Sequence, residues 1–164
     1  MNILEVNGKI DFKKLSMSML IPIAGGAAVG LLANRNSQKQ YKKLKQPSFA
    51  PPAWVFPVVW TGLYATMGIA RYRALAKAEK GEKRKAAIPY DIQLGLNFLW
   101  SFLFFKWGLR GTAFIEIALL FSMITLTTYQ FSQIDKTAGV LMLPYIGWVA
   151  FALGLNYSIW QLNK

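Results

Sequence analysis

The sequence predicts an all-α fold, an integral membrane bundle of five transmembrane helices. Of its 164 residues, 54% are hydrophobic, and the mean hydropathy is +0.30. Five stretches carry no charged residue, and most approach the roughly 20 residues that a helix needs to cross a bilayer. These stretches are residues 15–34, 46–70, 92–105, 117–134 and 137–163. We therefore expect one membrane domain over residues 1–164.

The first predicted span covers residues 15–33. The residues before it include acids and no small-residue cleavage site, so we expect the span to be retained rather than removed with a signal peptide. Gly26 and Gly30 form a GxxxG pair, a spacing that lets helices approach closely. The pair predicts either a dimer face or ordinary packing within the chain. Pro22 is expected to kink this helix or to lie in its first turns.

A long connection, residues 34–53, follows the first span. It exceeds the roughly 2 to 8 residues that usually join helices in a bundle. Tyr41, Leu44 and Phe49 alternate with basic residues, and prolines stiffen the end of the segment. Disordered segments rarely have this aromatic content. We therefore expect a folded lid.

The remaining spans are expected at residues 54–70, 88–107, 112–131 and 140–162. Residues 71–87 between the second and third spans are predicted to form a basic, hydrophilic connector, with a possible helical extension of the second span to Ala76. Lysine and arginine concentrate on the cytoplasmic side of membrane proteins. A small majority of the 19 basic residues lies on the side of the N-terminus, which predicts that the N-terminus is inside.

Charge and composition exclude several classes of protein. The net charge is +12, and the basic residues cluster at span ends and in loops, where anionic lipid headgroups attract each by about 1 kcal/mol. We therefore predict contact with membrane lipids and no nucleic-acid partner. Cysteine and histidine are absent, which excludes disulfides, the usual zinc sites and Ser-His-Asp or Cys-His catalysis. We expect no metal site, and a haem would lack its common His or Cys ligand.

Three spans each present a stripe that combines tryptophan with hydrogen-bonding groups. Residues three and four apart share a helix face. The stripes are Trp60, Tyr64 and Met67; Asn97, Trp100, Ser101 and Phe104; and Tyr145, Trp148, Ala152 and Asn156. Because unpaired polar groups are costly in hydrocarbon, the stripes should face inward. They predict either a pocket for a flat, mostly apolar ligand or a close-packed aromatic core in which Asn97 and Asn156 link the helices.

Glu116 is an acid inside the fourth predicted span, whereas Asp91 stands near the start of the third span, where it is expected at the interface. An ionisable group within a membrane is by default a functional hypothesis. Glu116 lies six residues after Arg110, which favours an interfacial or structural role. The chain has no Walker or GxGxxG motif and no carboxylate pair suited to acid–base catalysis. A conventional hydrolase or kinase is therefore not predicted.

Three segments combine prolines, tryptophans and asparagines in a specific pattern: YKKLKQPSFAPPAWVFPVVWTGLYATMGIA (41–70), LNFLWSFLFF (96–105) and LPYIGWVAFALGLNYSIWQLN (143–163). These segments resemble the translocator protein family, which includes the peripheral benzodiazepine receptor and the bacterial tryptophan-rich sensory proteins (TspO/MBR). The resemblance extends over all five spans. It implies a multi-pass five-helix bundle, usually a homodimer, in the bacterial cell membrane. It also implies that porphyrins bind under the loop between the first two spans, as ligands rather than as cofactors.

The resemblance also assigns residues to the site. It implies that Trp60, Asn97, Trp100, Trp148 and Ala152 line the pocket and that the lid supplies four further residues. With the stripes, the predicted ligand-binding residues are Tyr41, Pro47, Phe49, Pro51, Trp60, Tyr64, Asn97, Trp100, Ser101, Tyr145, Trp148, Ala152 and Asn156.

The chain departs from the family pattern at two places. Gln40 stands where the family commonly has tryptophan, which removes one anchor of the lid. Six residues separate Tyr157 from Lys164, which is too many for the proposed cholesterol-recognition pattern. Sterol binding is therefore not predicted.

The function predicted from these features is that of a receptor or sensor for a tetrapyrrole. No conventional catalytic residues are expected. One alternative is light-dependent oxidation of porphyrin that uses Trp60 and Trp148, and another is transport of porphyrin-like ligands.

Overall fold

The computed structural model describes residues 2–164. Within that range it contains six α-helices and one π-helical segment: α1 (Phe12–Leu32), α2 (Ser37–Lys43), α3 (Val55–Lys77), α4 (Lys80–Ser101), the π segment (Phe102–Lys106), α5 (Arg110–Ile134) and α6 (Lys136–Leu162). The all-α prediction is confirmed. The count of helices differs from five because α2, of seven residues, forms inside the loop predicted at residues 34–53. Among the described residues, α1, α5 and α6 are long and apolar enough to cross a membrane.

The predicted extension of the second span to Ala76 is confirmed, but the rest of the predicted connector is also helical except for Ala78 and Glu79. Helix α3 continues to Lys77, and α4 begins at Lys80 with a reciprocal capping box between Glu79 and Glu82. Alanine, lysine, glutamate and arginine dominate this segment, and all are strong helix formers. The change from apolar to charged residues therefore does not mark the ends of the helices. It marks a change in what surrounds them.

Helix packing places an apolar core between α3, α4, α5 and α6. Helix α5 packs between α4 and α6, while α1 packs mainly along α3. The fully buried core side chains include Met67, Tyr90, Phe131, Met142 and Tyr145. Large apolar side chains are also exposed along the outer faces of α1, α5 and α6, as expected of helices that face lipid.

Glycines set the distance between α1 and α3. A Cβ atom on Gly68 would lie 2.9 Å from the Cα atom of Met19, and one on Gly26 would lie 2.5 Å from the ring of Tyr64. Gly26 of the GxxxG pair therefore serves packing within the chain. A Cβ atom on Gly30 would meet no atom within 4 Å, because this end of α1 borders a cavity.

A buried charged cluster closes the end of the bundle that carries the N-terminus, which we call the closed end. Asp135 accepts hydrogen bonds from Nε of Arg73 at 2.6 Å and from Nζ of Lys77 at 2.7 Å. Nη1 of Arg73 also donates to the carbonyl oxygens of Ile3 and Glu5. Burial by itself would raise the pKa of Asp135, but the hydrogen bonds and positive charges of the two basic side chains outweigh it and hold that pKa below its usual value.

Candidate ligand-binding site

A cavity of about 710 Å³ lies at the opposite end of the bundle, which we call the cavity end. Residues of α1, α3, α4, α5 and α6 form its walls, and residues 34–39 and Tyr41 border it on the side of the lid. Pockets for small molecules usually measure about 300–1,000 Å³. Each inward-facing stripe therefore contributes residues to the border of an open space, while Met67, Tyr145 and Asn156 of the same stripes are packed outside the lining.

Eight of the predicted binding residues line the cavity: Tyr41, Trp60, Tyr64, Asn97, Trp100, Ser101, Trp148 and Ala152. Five others do not: Pro47, Phe49, Pro51, Tyr145 and Asn156. Tyr145 and Asn156 are buried behind the wall, where they hydrogen-bond to residues of the lining. The side chain of Phe49 is 52% exposed, so it lies on the outside of the lid.

Sequence reasoning missed several residues of the lining. The small residues Gly26, Ala27 and Gly30 of α1 form one wall, and Phe56 of α3 contributes a ring. The GxxxG spacing was a signal for these α1 residues, since small side chains leave room for a ligand as well as for a helix. The polar residues 34–39 also border the cavity, and nothing in their composition distinguished them from the rest of the lid.

A chain of hydrogen bonds connects the polar groups along one wall. The hydroxyl of Tyr64 donates to Oδ1 of Asn97 at 2.8 Å. Nδ2 of Asn97 donates to the hydroxyl of Tyr145, which donates in turn to Oε1 of Gln93, each at 2.8 Å. Because buried polar groups are costly without partners, this chain fixes the orientation of Asn97 and of both tyrosine rings.

The indole groups differ in whether their nitrogen is already paired. Nε1 of Trp100 donates to Oδ1 of Asn156 at 2.9 Å, and Nδ2 of Asn156 donates to the carbonyl oxygen of Arg110. Nε1 of Trp148 is buried and has no hydrogen-bond partner among residues 2–164. The hydrogen-bonded indole of Trp100 is therefore fixed in the wall, whereas the indole nitrogen of Trp148 is buried without a partner in the described chain.

Aromatic rings link the lid to the inner wall. The ring of Tyr41 lies 5.0 Å from that of Phe56, and Phe56 lies 5.8 Å from Trp148. Trp148 lies 5.4 Å from Phe151, which meets Phe49 at 6.2 Å. Each such pair contributes about 0.5–1.5 kcal/mol beyond its buried area. The lid is thus part of the same aromatic cluster as the wall of the cavity.

Hydrogen bonds hold the lid in place. The hydroxyl of Tyr41 donates to the carbonyl oxygen of Pro51, and Nε2 of Gln46 donates to that of Tyr41. The side chain of Asn163, beyond α6, forms two hydrogen bonds with the backbone of Lys45, at 3.0 and 2.9 Å. Burial raises the pKa of Tyr41, so its phenol stays protonated and keeps donating at neutral pH.

Two residues singled out by the sequence lie outside the cavity lining. Gln40, at the position where the family commonly has tryptophan, is exposed on α2. Glu116 is only 6% exposed, and neither of its carboxyl oxygens has a hydrogen-bond partner in the described part of the chain. It is not among the residues that line the cavity.

Comparisons with known proteins find relatives over nearly the whole chain. The model of the TspO/MBR family matches residues 18–161. A tryptophan-rich protein TspO of Archaeoglobus fulgidus is 38% identical over 94% of this chain and 99% of its own length. A tryptophan-rich sensory protein of Cereibacter sphaeroides is 34% identical over 91% of each chain. The translocator protein of Ovis aries is 34% identical over 88% of this chain and 87% of its own length.

These matches cover the lid and all the helices that surround the cavity. Together with three helices able to cross a bilayer, they make the chain an integral membrane protein. It belongs to the TspO/MBR family.

Proposed function

We propose that this protein is a membrane receptor or sensor that binds a porphyrin, or a similarly flat and mostly apolar ligand, in the cavity at the cavity end. The observation that carries the proposal is the lining itself, in which Trp60, Trp100 and Trp148 from three different helices border one space. The name of one relative, a tryptophan-rich sensory protein, supports a sensing role.

The cavity would bind such a ligand by apolar burial and ring contacts. Each square ångström of apolar surface removed from water contributes about 25 cal/mol, so a large flat ring system gains much from an aromatic wall. The hydrogen-bonded chain from Tyr64 to Gln93 keeps that wall in one shape before the ligand arrives. Affinity benefits, because less ordering is left for the binding step.

We also propose that α3 and α4 cross the membrane with the other three long helices. Helix α3 has 23 residues and α4 has 22, and at about 1.5 Å per residue each exceeds the roughly 30 Å of a hydrocarbon core. Their charged ends meet at Ala78 and Glu79, where they would lie in the headgroup region. The homodimer and the bacterial cell membrane implied by the resemblance stay predictions.

A fluorescence titration with protoporphyrin IX in detergent tests the binding site. The Trp60→Phe, Trp148→Phe double variant should bind the porphyrin at least about fivefold more weakly, since the two lost indole contacts together contribute about 1–3 kcal/mol. The matched control is Trp54→Phe with Trp107→Phe, which removes two tryptophans that are 64% and 54% exposed. Equal affinities for the two double variants would contradict the proposed site.

Light-dependent breakdown of the porphyrin is a second candidate function. Trp60 and Trp148 both line the cavity, so one bound macrocycle would touch both indoles. Illumination of the complex in air should then yield a new absorbing product, and it should form more slowly in the double variant. A porphyrin spectrum that illumination leaves unchanged in the wild-type protein would exclude this activity.

A further inference from the structure

The cavity lining carries positive charge and no negative charge. Among the described residues, the charged members of the lining are Arg35 and Lys39. Residues 34–53 contain five basic residues and no acid. A cleft lined by one sign of charge attracts ligands of the opposite sign.

These two cations also lack a counter-ion. Neither Arg35 nor Lys39 forms a salt bridge or a side-chain hydrogen bond within residues 2–164. Both are exposed at the mouth of the cavity. At the closed end, by contrast, Arg73 and Lys77 share Asp135. The cavity end thus keeps two positive groups beside an apolar space, and nothing in the described chain neutralises them.

We infer that Arg35 and Lys39 form an anion-recognition pair at the mouth of the cavity. The ligand class that fits is an amphiphilic anion, a flat apolar body with a carboxylate group at one edge. The apolar body would lie against the tryptophans, and the carboxylate would remain at the mouth beside the two cations. A guanidinium pairs with a carboxylate through two hydrogen bonds, and an ammonium adds a mobile point charge. This inference rests on the proposed function, since it concerns the orientation of a ligand in the same cavity.

The comparison of protoporphyrin IX with its dimethyl ester tests the inference. Both have the same ring, but the ester carries no carboxylate. We expect the wild-type protein, in nanodiscs of zwitterionic lipid, to bind the free acid about five- to tenfold more tightly, as two partly exposed ion pairs would allow. The Arg35→Gln, Lys39→Gln double variant should lose this preference, so that it binds the free acid and the ester with similar affinity.

The matched control is Lys42→Gln with Lys43→Gln, which removes the same charge from α2 at positions outside the cavity lining. It should keep the preference for the free acid. Raised ionic strength should shrink the preference in the wild-type protein, because salt screens exposed charges.

The outcomes separate this inference from the proposed function. If the wild-type protein binds acid and ester equally, the anion pair is refuted while the aromatic site stands. If the control variant loses the preference as fully as the double variant does, general surface charge is responsible, and the pair is again refuted. If the wild-type protein binds neither compound, the proposed function fails and the inference fails with it.

Discussion

The two ends of the bundle differ in whether their charged side chains are paired. At the closed end, Asp135 bridges Arg73 and Lys77, and the N-terminal segment covers them through two carbonyl oxygens. At the cavity end, a buried indole nitrogen on Trp148 has no partner in the described chain, and the cations at the mouth are free. The charged cluster at the closed end is paired within the chain, whereas Arg35 and Lys39 at the mouth of the cavity have no counter-ion in the described residues.

This difference separates stability from function within one fold. A fully paired buried cluster fixes a single arrangement of helices, but it has nothing to offer a ligand. A cavity lowers the local packing density, and proteins commonly give up some stability at the site where they bind a ligand. Substitutions at the closed end should therefore change folding, and substitutions at the cavity end should change binding.

The substitution Asp135→Ala should produce the largest effect. It leaves the guanidinium of Arg73 buried without its carboxylate, and breaking a buried pair in this way costs about 3–5 kcal/mol. We expect a lower thermal midpoint in detergent and less folded protein, with porphyrin affinity of the folded fraction unchanged.

The control is Asp91→Ala. This carboxylate lies 3.6 Å from Arg71 but is 62% exposed, so its loss should cost less than about 1 kcal/mol. Equal destabilisation by the two substitutions would show that the buried Asp135 cluster stabilises the fold no more than an exposed ion pair does.

The substitution Ala152→Leu, at the cavity end, should have the opposite effect to Asp135→Ala: it should weaken ligand binding without destabilising the fold. The added side chain would occupy the space beside Trp148, so ligand affinity should fall by about 1–3 kcal/mol, the usual cost of overpacking a site. The thermal midpoint of the free protein should hold or rise, because the new atoms fill a void. Titration and thermal unfolding of the same sample measure both quantities.

Ala150→Leu serves as its control, since Ala150 is exposed on α6 and does not line the cavity. Loss of affinity in this variant as well would mean that bulk on α6, rather than occupation of the cavity, weakens binding.

Residues at the two ends of the bundle also differ in how well the sequence predicted them. Helical spacing identified the inward faces that carry Trp60, Trp100 and Trp148, because each face is fixed by local periodicity. The same spacing could not tell Asn97, which lines the cavity, from Asn156, which lies behind it. Whether a side chain lines the cavity or lies behind its wall depends on the distance between neighbouring helices. Side chains that are distant in the sequence set that distance.

The closed end was missed altogether. Arg73 and Lys77 fall in the segment whose charge predicts a hydrophilic connector, and Asp135 falls between the fourth and fifth predicted spans. Their partnership joins residues 62 and 58 positions apart, and no local pattern reports a contact of that range. The lid was predicted as a folded segment, but its seven-residue helix and its attachment to Asn163 required the folded chain.

The substitution Asn163→Ala probes how firmly the cavity is covered. It removes both hydrogen bonds to Lys45, each of which contributes about 0.5–1.5 kcal/mol. We expect the ligand to dissociate about fivefold faster, with a much smaller change in the thermal midpoint, and stopped-flow fluorescence measures this rate. The control is Gln161→Ala, at the residue before Leu162 in α6, and it should leave the rate of ligand dissociation unchanged. An unchanged rate in Asn163→Ala would show that the lid does not control release.

Acid should affect the closed end through Asp135, and this is the smallest of the expected effects. The hydrogen bonds from Arg73 and Lys77 outweigh burial and lower the pKa of this carboxyl in the folded protein, so protonation favours the unfolded chain. The stabilisation is complete above the unfolded pKa, about 3.9, and it is lost as the pH falls through the lower folded value. The difference in thermal midpoint between the wild-type protein and Asp135→Asn should therefore stay constant from neutral pH down to about pH 5 and shrink below about pH 4. A difference that shrinks already between pH 7 and 5 would indicate a raised pKa, and Asp135 would then not be the charged centre of the closed end.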